Sequence, residues 1–131
     1  MLDTNVVIRH FTGEPTAMAR KATAILNGPH RLVLTDVVFS ECIFVLESFY
    51  EVERDDIAAL MRSLLGLGSI STDNERLLVR ALEHYEIERL DFAEAHLVAR
   101  AELAGIAKVA SFDRSIDQVD GIRRITAAAA G

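Results

Sequence analysis

The chain is poor in the residues that staple a fold or take it through a membrane. It has one Cys, no Trp, two Pro and two Tyr in 131 residues, and aromatics make up 6% of it. A lone Cys42 excludes an internal disulfide and a thiolate metal site, which needs several Cys or His at set spacings. That usage suits a reducing compartment, and the expected location is the cytoplasm. With 50% hydrophobic residues and so few aromatics, the core should be aliphatic. The longest apolar run, Val37 to Leu46, is interrupted by Ser40 and Glu41, whereas a bilayer span needs about 20 residues. No signal peptide and no membrane association are expected. G-x-G-x-x-G and phosphate-loop motifs are absent, so nucleoside triphosphate chemistry is not expected.

Lysine is scarce as well. Of the 14 basic residues only Lys21 and Lys108 are Lys, and 20 acidic residues bring the net charge to −6. Taken whole, that charge argues against nucleic acid as a partner. The balance is local, however: acids consumed by a metal ion would leave a surface nearer neutral, and Arg forks match phosphate well. The length predicts one domain that buries about two thirds of its extended-chain surface. We place it at residues 1–126, with the alanine-rich 127–131 as a frayed tail.

What the chain does have is four acidic stations: Asp3 with Asn5 in MLDTN, Glu41 in SEC, Asp91 and Glu94 in LDFAEAH, and Asp113 in SFDR. Three of them adjoin short apolar runs. In a parallel α/β domain such runs become buried strands, and residues just past their carboxyl ends gather in one crevice. Carboxylates held about 5 Å apart repel by roughly 3 kcal/mol per pair at an effective dielectric of 20. Protonation would relieve this, but a hard divalent cation does so better, because Mg²⁺ takes oxygen ligands and shares them with water and phosphate. The stations therefore predict a Mg²⁺ or Mn²⁺ site.

The punctuation predicts helices alternating with short strands. Met1 to Asp3 reads as a shortened first strand, followed by a helical turn through Val6, Val7 and Ile8. Glu14-Pro15 opens a helix to about Asn27, stopped by Gly28-Pro29. Arg31 to Thr35 reads as a strand, and Thr35 or Asp36 caps a helix with Val38, Cys42, Val45, Leu46 and Phe49 at helical spacing. Further helices are expected from about Arg54 to Leu65, from Asp73 to Tyr85 with Leu77, Leu78, Ala81 and Leu82 inward, and from Asp91 to Ala104. Ser69 to Thr72, Lys108 to Ser111 and Arg123 to Thr126 complete the strands. The fold class is α/β, a short parallel sheet of four to five strands with helices on both faces.

Each station also has a plainer reading. Asp3 reads either as a ligand oriented by Asn5 or as the N-cap of the turn that follows. Glu41 is a pocket carboxylate or an exposed residue on a polar helix face. Asp91 and Glu94, spaced i, i+3, share one side of a helical turn and also form a capping box, D-x-x-E; the two readings are compatible. Asp113 is a ligand or the N-cap of a short turn, and Asp117, one turn on, is a candidate outer-shell ligand. The four His show no ligand spacing. Cys42 reads as a small core residue.

Together and in this order, LDTNVVIR, LTDVVFSECIFVLESFY, LDFAEAHLVARAELAG and VASFDRSIDQVDGIRRI resemble the PIN domain family, in particular its VapC-type toxins, over nearly the whole chain. The resemblance implies a PIN-like fold and a Mg²⁺- or Mn²⁺-dependent endoribonuclease with Asp3, Glu41, Glu94 and Asp113 on the acidic positions and Asn5 as polar helper. Asp91 is carried as an additional metal ligand. The family usually has Asp where Glu94 stands, and the first strand is shorter than its pattern. The resemblance further implies a VapB-like antitoxin as partner and a homodimer; the apolar helices around Phe44 to Tyr50 and Ile57 to Leu65 are either interface segments or ordinary core. Arg9, Arg31 and Arg114 are candidate RNA phosphate contacts. Two other classes stay open: a catalytically weak binding module acting through its antitoxin, and another acidic-pocket phosphotransfer enzyme.

Overall fold

A computed structural model of the chain describes residues 1–126. It divides into two compact units, Met1–Glu75 and Arg76–Gly131. The alanine-rich segment expected to fray, 127–131, lies outside the described residues.

The first unit is built from α1 (Thr4–Thr12), α2 (Thr16–Leu26), β1 (Leu32–Val33), α3 (Asp36–Ser48), α4 (Arg54–Leu65) and β2 (Ile70–Ser71). Gly13 ends α1 in the left-handed conformation, φ +71°, and its N–H donates to the Arg9 carbonyl; this C-terminal position favours glycine because it carries no Cβ penalty. Thr35 caps α3, its Oγ1 accepting from the Val38 N–H at 3.2 Å. Truncating that cap, Thr35→Ala, should cost about 1 kcal/mol, and a thermal melt showing no loss would place the helix start elsewhere.

β1 and β2 are parallel, Leu32 opposite Ile70 and Val33 opposite Ser71. The chain before α1 lies alongside them: the Leu2 N–H donates to the Val33 carbonyl at 2.8 Å. That bond sets Asp3 just past the end of a strand-like segment, with β1 leading through Thr35 into α3, which carries Glu41. The unit's core is aliphatic, as composition predicts, and centres on Val7, Leu26, Leu34, Phe39, Leu46 and Met61.

The face of α3 departs from expectation. Its buried residues are Phe39, Cys42, Ile43 and Leu46, while Val38 and Val45 are half-buried and Phe49 is 75% exposed. Apolar residues occur nearly all round this helix, so spacing alone does not choose its inward face. In α4, Ile57, Ala58, Met61, Leu64 and Leu65 are buried in the core, the plainer of the two readings of that segment.

The second unit contains most of α5 (Glu75–Glu86), α6 (Phe92–Leu103), β3 (Lys108–Ala110), a 3-10 turn (Arg114–Gln118) and β4 (Arg123–Ile125). The predicted inward set of α5, Leu77, Leu78, Ala81 and Leu82, is buried. β3 and β4 run parallel in register, Val109 opposite Arg124. Tyr85 meets Phe92 edge-on, ring centroids 6.1 Å apart.

The expected sheet of four to five strands is replaced by two two-stranded parallel sheets, β1-β2 and β3-β4. The strands are two or three residues long, and Met1 to Asp3 joins β1 through one backbone bond without forming a strand of its own. Helices with buried stripes supply most of the core, and β3 runs into the segment that carries Asp113.

One polar cluster was not anticipated. His84 is fully buried on α5, its Nδ1 against Glu88 and its Nε2 2.6 Å from Glu102 Oε1 on α6. Arg80 grips Glu102 with Nε and Nη2, both at 3.0 Å, and Glu83 with Nη1 at 2.6 Å. Burial opposes the charge on Glu102, but hydrogen bonds from Arg80 and His84 overcome it and hold the carboxyl below the usual range. The cluster clamps α5 to α6, the helix that carries Glu94.

Candidate active site

In the first unit Asp3 and Glu41 come together. The link is Thr4, whose hydroxyl donates to Glu41 Oε2 at 2.7 Å across 37 residues of sequence. Asp3 occupies the N-cap position of α1 but its side chain makes no capping bond, so the plainer reading of Asp3 does not hold and its carboxylate stays exposed. Glu41 is exposed as well. Beneath them lies Cys42. Burial, then the charges of Glu41 and Asp3, push its thiol up to about 12. Native protein at pH 8 should therefore resist iodoacetamide, since about one thiol in ten thousand would be ionised; rapid labelling of Cys42 in the folded state would contradict this packing.

Asn5, expected to orient Asp3, is exposed and faces the groove between α1 and α2. The hydrogen bond that steadies an acid is made by its neighbour Thr4. Sequence reading passed over Thr4 because a hydroxyl between two more conspicuous polar residues has no spacing signature of its own.

In the second unit Asp91, Glu94 and Asp113 come together. Asp91 stands at the N-cap of α6 without a side-chain capping bond, so the capping-box reading fails here too and its carboxylate is free of the helix end. Glu94, one turn in, has Oε2 buried with no hydrogen-bond partner. Its pKa is raised, first by desolvation, then by the charges of Asp113 and Asp91. Asp113 is the opposite case. It does cap the 3-10 turn, accepting from Ser115 Oγ at 2.6 Å and the Ser115 N–H at 2.9 Å. Those bonds, helped by Arg124, hold its carboxyl below the usual range. Two neighbouring carboxyls are thus driven apart, one ionised and one reluctant to be.

Asp117 has both oxygens engaged by Arg124, Nε at 3.0 Å and Nη2 at 3.1 Å, so any part in metal binding runs through that guanidinium. Arg9 sits on α1 and donates Nη1 to the Glu14 carbonyl. Arg114 opens the turn after Asp113 and is exposed. Arg31 stands at the amino end of β1, the end away from Thr35 and α3, beside a cavity of about 400 Å³.

A divalent cation fits these donors. All are hard carboxylate oxygens, the set Mg²⁺ and Mn²⁺ prefer. Among the described residues no group of three or more His, Cys, Asp or Glu is already arranged to hold a metal ion. The fit rests on Glu94 Oε2, because a buried carboxylate oxygen without a partner is costly and a cation would satisfy it. No helix of the described residues is long and apolar enough to cross a membrane.

Comparison with curated proteins gives no significant match. The PIN domain family model matches residues 1–122, a stretch that includes α1 through the 3-10 turn and every acidic residue discussed above. PIN domains are generally nucleases and typically use divalent metal ions. By that match, over nearly its whole length, the chain belongs to the PIN domain family.

Proposed function

We propose that the chain is a Mg²⁺- or Mn²⁺-dependent endoribonuclease and the toxin component of a VapBC-type toxin-antitoxin pair. The observation that carries the metal dependence is the buried, partnerless oxygen of Glu94 among Asp91 and Asp113. Asp3, Glu94 and Asp113 are the direct ligands, and Asp91 is an additional one. When bound, the cation activates water and offsets charge on the phosphoryl oxygens.

The chain's own residues divide the remaining work. Glu41 has one oxygen committed to Thr4, which fixes the carboxylate and leaves Oε1 to accept a proton from the attacking water. Asp113, locked by Ser115 and held ionised, is a permanent negative ligand. Arg9 and Arg114 contact flanking RNA phosphates. Arg31, at the far end of β1, reaches only a more distant one.

The partners follow the same reading: a VapB-like antitoxin and a second copy of the chain. Phe44, Phe49 and Tyr50 are 61%, 75% and 44% exposed at the end of α3. Large apolar side chains grouped this way mark interaction surfaces.

The test is cleavage of a mixed panel of structured RNAs by the purified chain, in Mg²⁺ or Mn²⁺ and in chelator. Cutting should need the metal and vanish with Asp3→Asn. Cutting that persists in chelator, or in Asp3→Asn, would refute the mechanism.

A further inference from the structure

We propose that the groove between α1 and α2 is a nucleotide subsite, taking one unpaired base of RNA on its apolar floor and the adjoining phosphate on its cationic rim. This rests on the nuclease reading above and specifies how that enzyme holds its substrate. The groove encloses about 240 Å³. Val6, Met18 and Ile25 line it, and so do Arg9 and Lys21. Met18 and Ile25 are 50% and 42% exposed, leaving their apolar surface uncovered. Met is well suited to such a floor, because its polarizable thioether makes favourable contacts with aromatic rings.

Charge and position select the occupant. The chain carries 20 acidic residues, yet no carboxylate lines this groove and two cations do. Arg9 commits Nη1 to the Glu14 carbonyl at 3.3 Å, and Lys21 is exposed to an arriving anion. Asn5 lines the same groove two residues after Asp3, which connects it along α1 to the Asp3 and Glu41 carboxylates. The groove is smaller than the roughly 300–1,000 Å³ typical of ligand pockets. It holds one ring system, whereas an amphipathic helix needs a row of anchors over two turns. A base inside a duplex cannot present its face to such a floor, so the subsite selects single strands and loops.

The experiment uses the full chain in chelator, so that nothing is cut, with a fluorescein-labelled 12-nucleotide single-stranded RNA of mixed sequence read by anisotropy. Lys21→Glu and Met18→Glu change exposed side chains, and circular dichroism checks their fold. Each should weaken binding at least tenfold, and Lys21→Ala should lower the salt slope of log affinity by about 0.7, the value of one single-strand phosphate contact. The same RNA carrying 4-thiouridine should cross-link to Met18 or Lys21. Wild-type affinity in both charge variants, or cross-links confined to other elements, would overturn the subsite. So would an acidic amphipathic peptide that shields Lys21 from acetylation when RNA does not. If wild-type protein cuts RNA with metal while these variants bind normally, the subsite falls and the nuclease stands; if wild type neither binds nor cuts RNA, both fall.

Discussion

Replacing Glu94 by Gln should make the metal-free protein more stable and the enzyme inactive. The carboxylate is desolvated and faces Asp113 and Asp91, so its charge works against the fold until a cation arrives. For an acid whose folded pKa is raised, the folded state binds its proton more tightly than the unfolded chain does. Metal-free wild type should therefore lose stability as pH rises from the ordinary Glu value, about 4.3, through the raised folded value. Gln removes that loss. Saturating Mg²⁺ or Mn²⁺ at about 100 times its Kd stabilises a protein by about 2.7 kcal/mol, an upward shift on the order of 5–10 °C for a domain of this size. Differential scanning fluorimetry should show that shift in wild type and little of it in Glu94→Gln. Cleavage should fall by more than the 10–100-fold typical of a group that only supports a ligand. An unchanged metal shift in the variant would remove Glu94 from the site.

His84→Ala should destabilise the second unit. The imidazole is completely buried between Glu88 and Glu102, and both ring nitrogens face carboxylate oxygens. Deleting it strands two largely buried carboxylates, leaving Glu102 to Arg80 alone. Leaving buried hydrogen-bonding groups without their partner costs about 1–3 kcal/mol, a sizeable share of the roughly 5–15 kcal/mol that holds a domain together. Chemical denaturation should report this directly, and a loss below 1 kcal/mol would show the cluster to be incidental. Its acid dependence has a fixed sign. Glu102 is held below the usual carboxylate range, so its contribution is complete above the unfolded Glu pKa and disappears as pH falls through the lower folded value. Because Glu102 and Glu94 share α6, His84→Ala should also loosen the aim of Glu94.

Most of the helices were legible in the sequence because their ends carry unambiguous punctuation. α4 begins and ends at the residues expected, and Thr35 and Asp113 cap as expected. The sheet was less legible. RLVLT and its counterparts have the composition of strands, but only two or three residues of each pair, because pairing depends on what the rest of the chain brings alongside. The face of α3 was illegible for a different reason, its apolar residues being spread around the helix.

At the candidate site, residue types suggested a metal chemistry, and the structure shows how each carboxyl is held. D-x-x-E before an apolar run is a capping signal by pattern, yet Asp91 caps nothing and Glu94 is left with a bare oxygen. Nothing local marks Thr4 as the partner of Glu41, which is 37 residues away. His84 carried no spacing signal either, because one of its partners, Glu88, lies just past its own helix and the other, Glu102, on the next.

The proposed nuclease needs carboxylates distant in the sequence to serve one cation. Manganese binding, counted by electron paramagnetic resonance in wild type, Asp3→Asn and Glu94→Gln, tests it most directly. The account predicts saturable binding in wild type and at least a tenfold loss of affinity in each variant. Wild-type affinity in either variant, or no saturable binding by the wild-type chain, would contradict it.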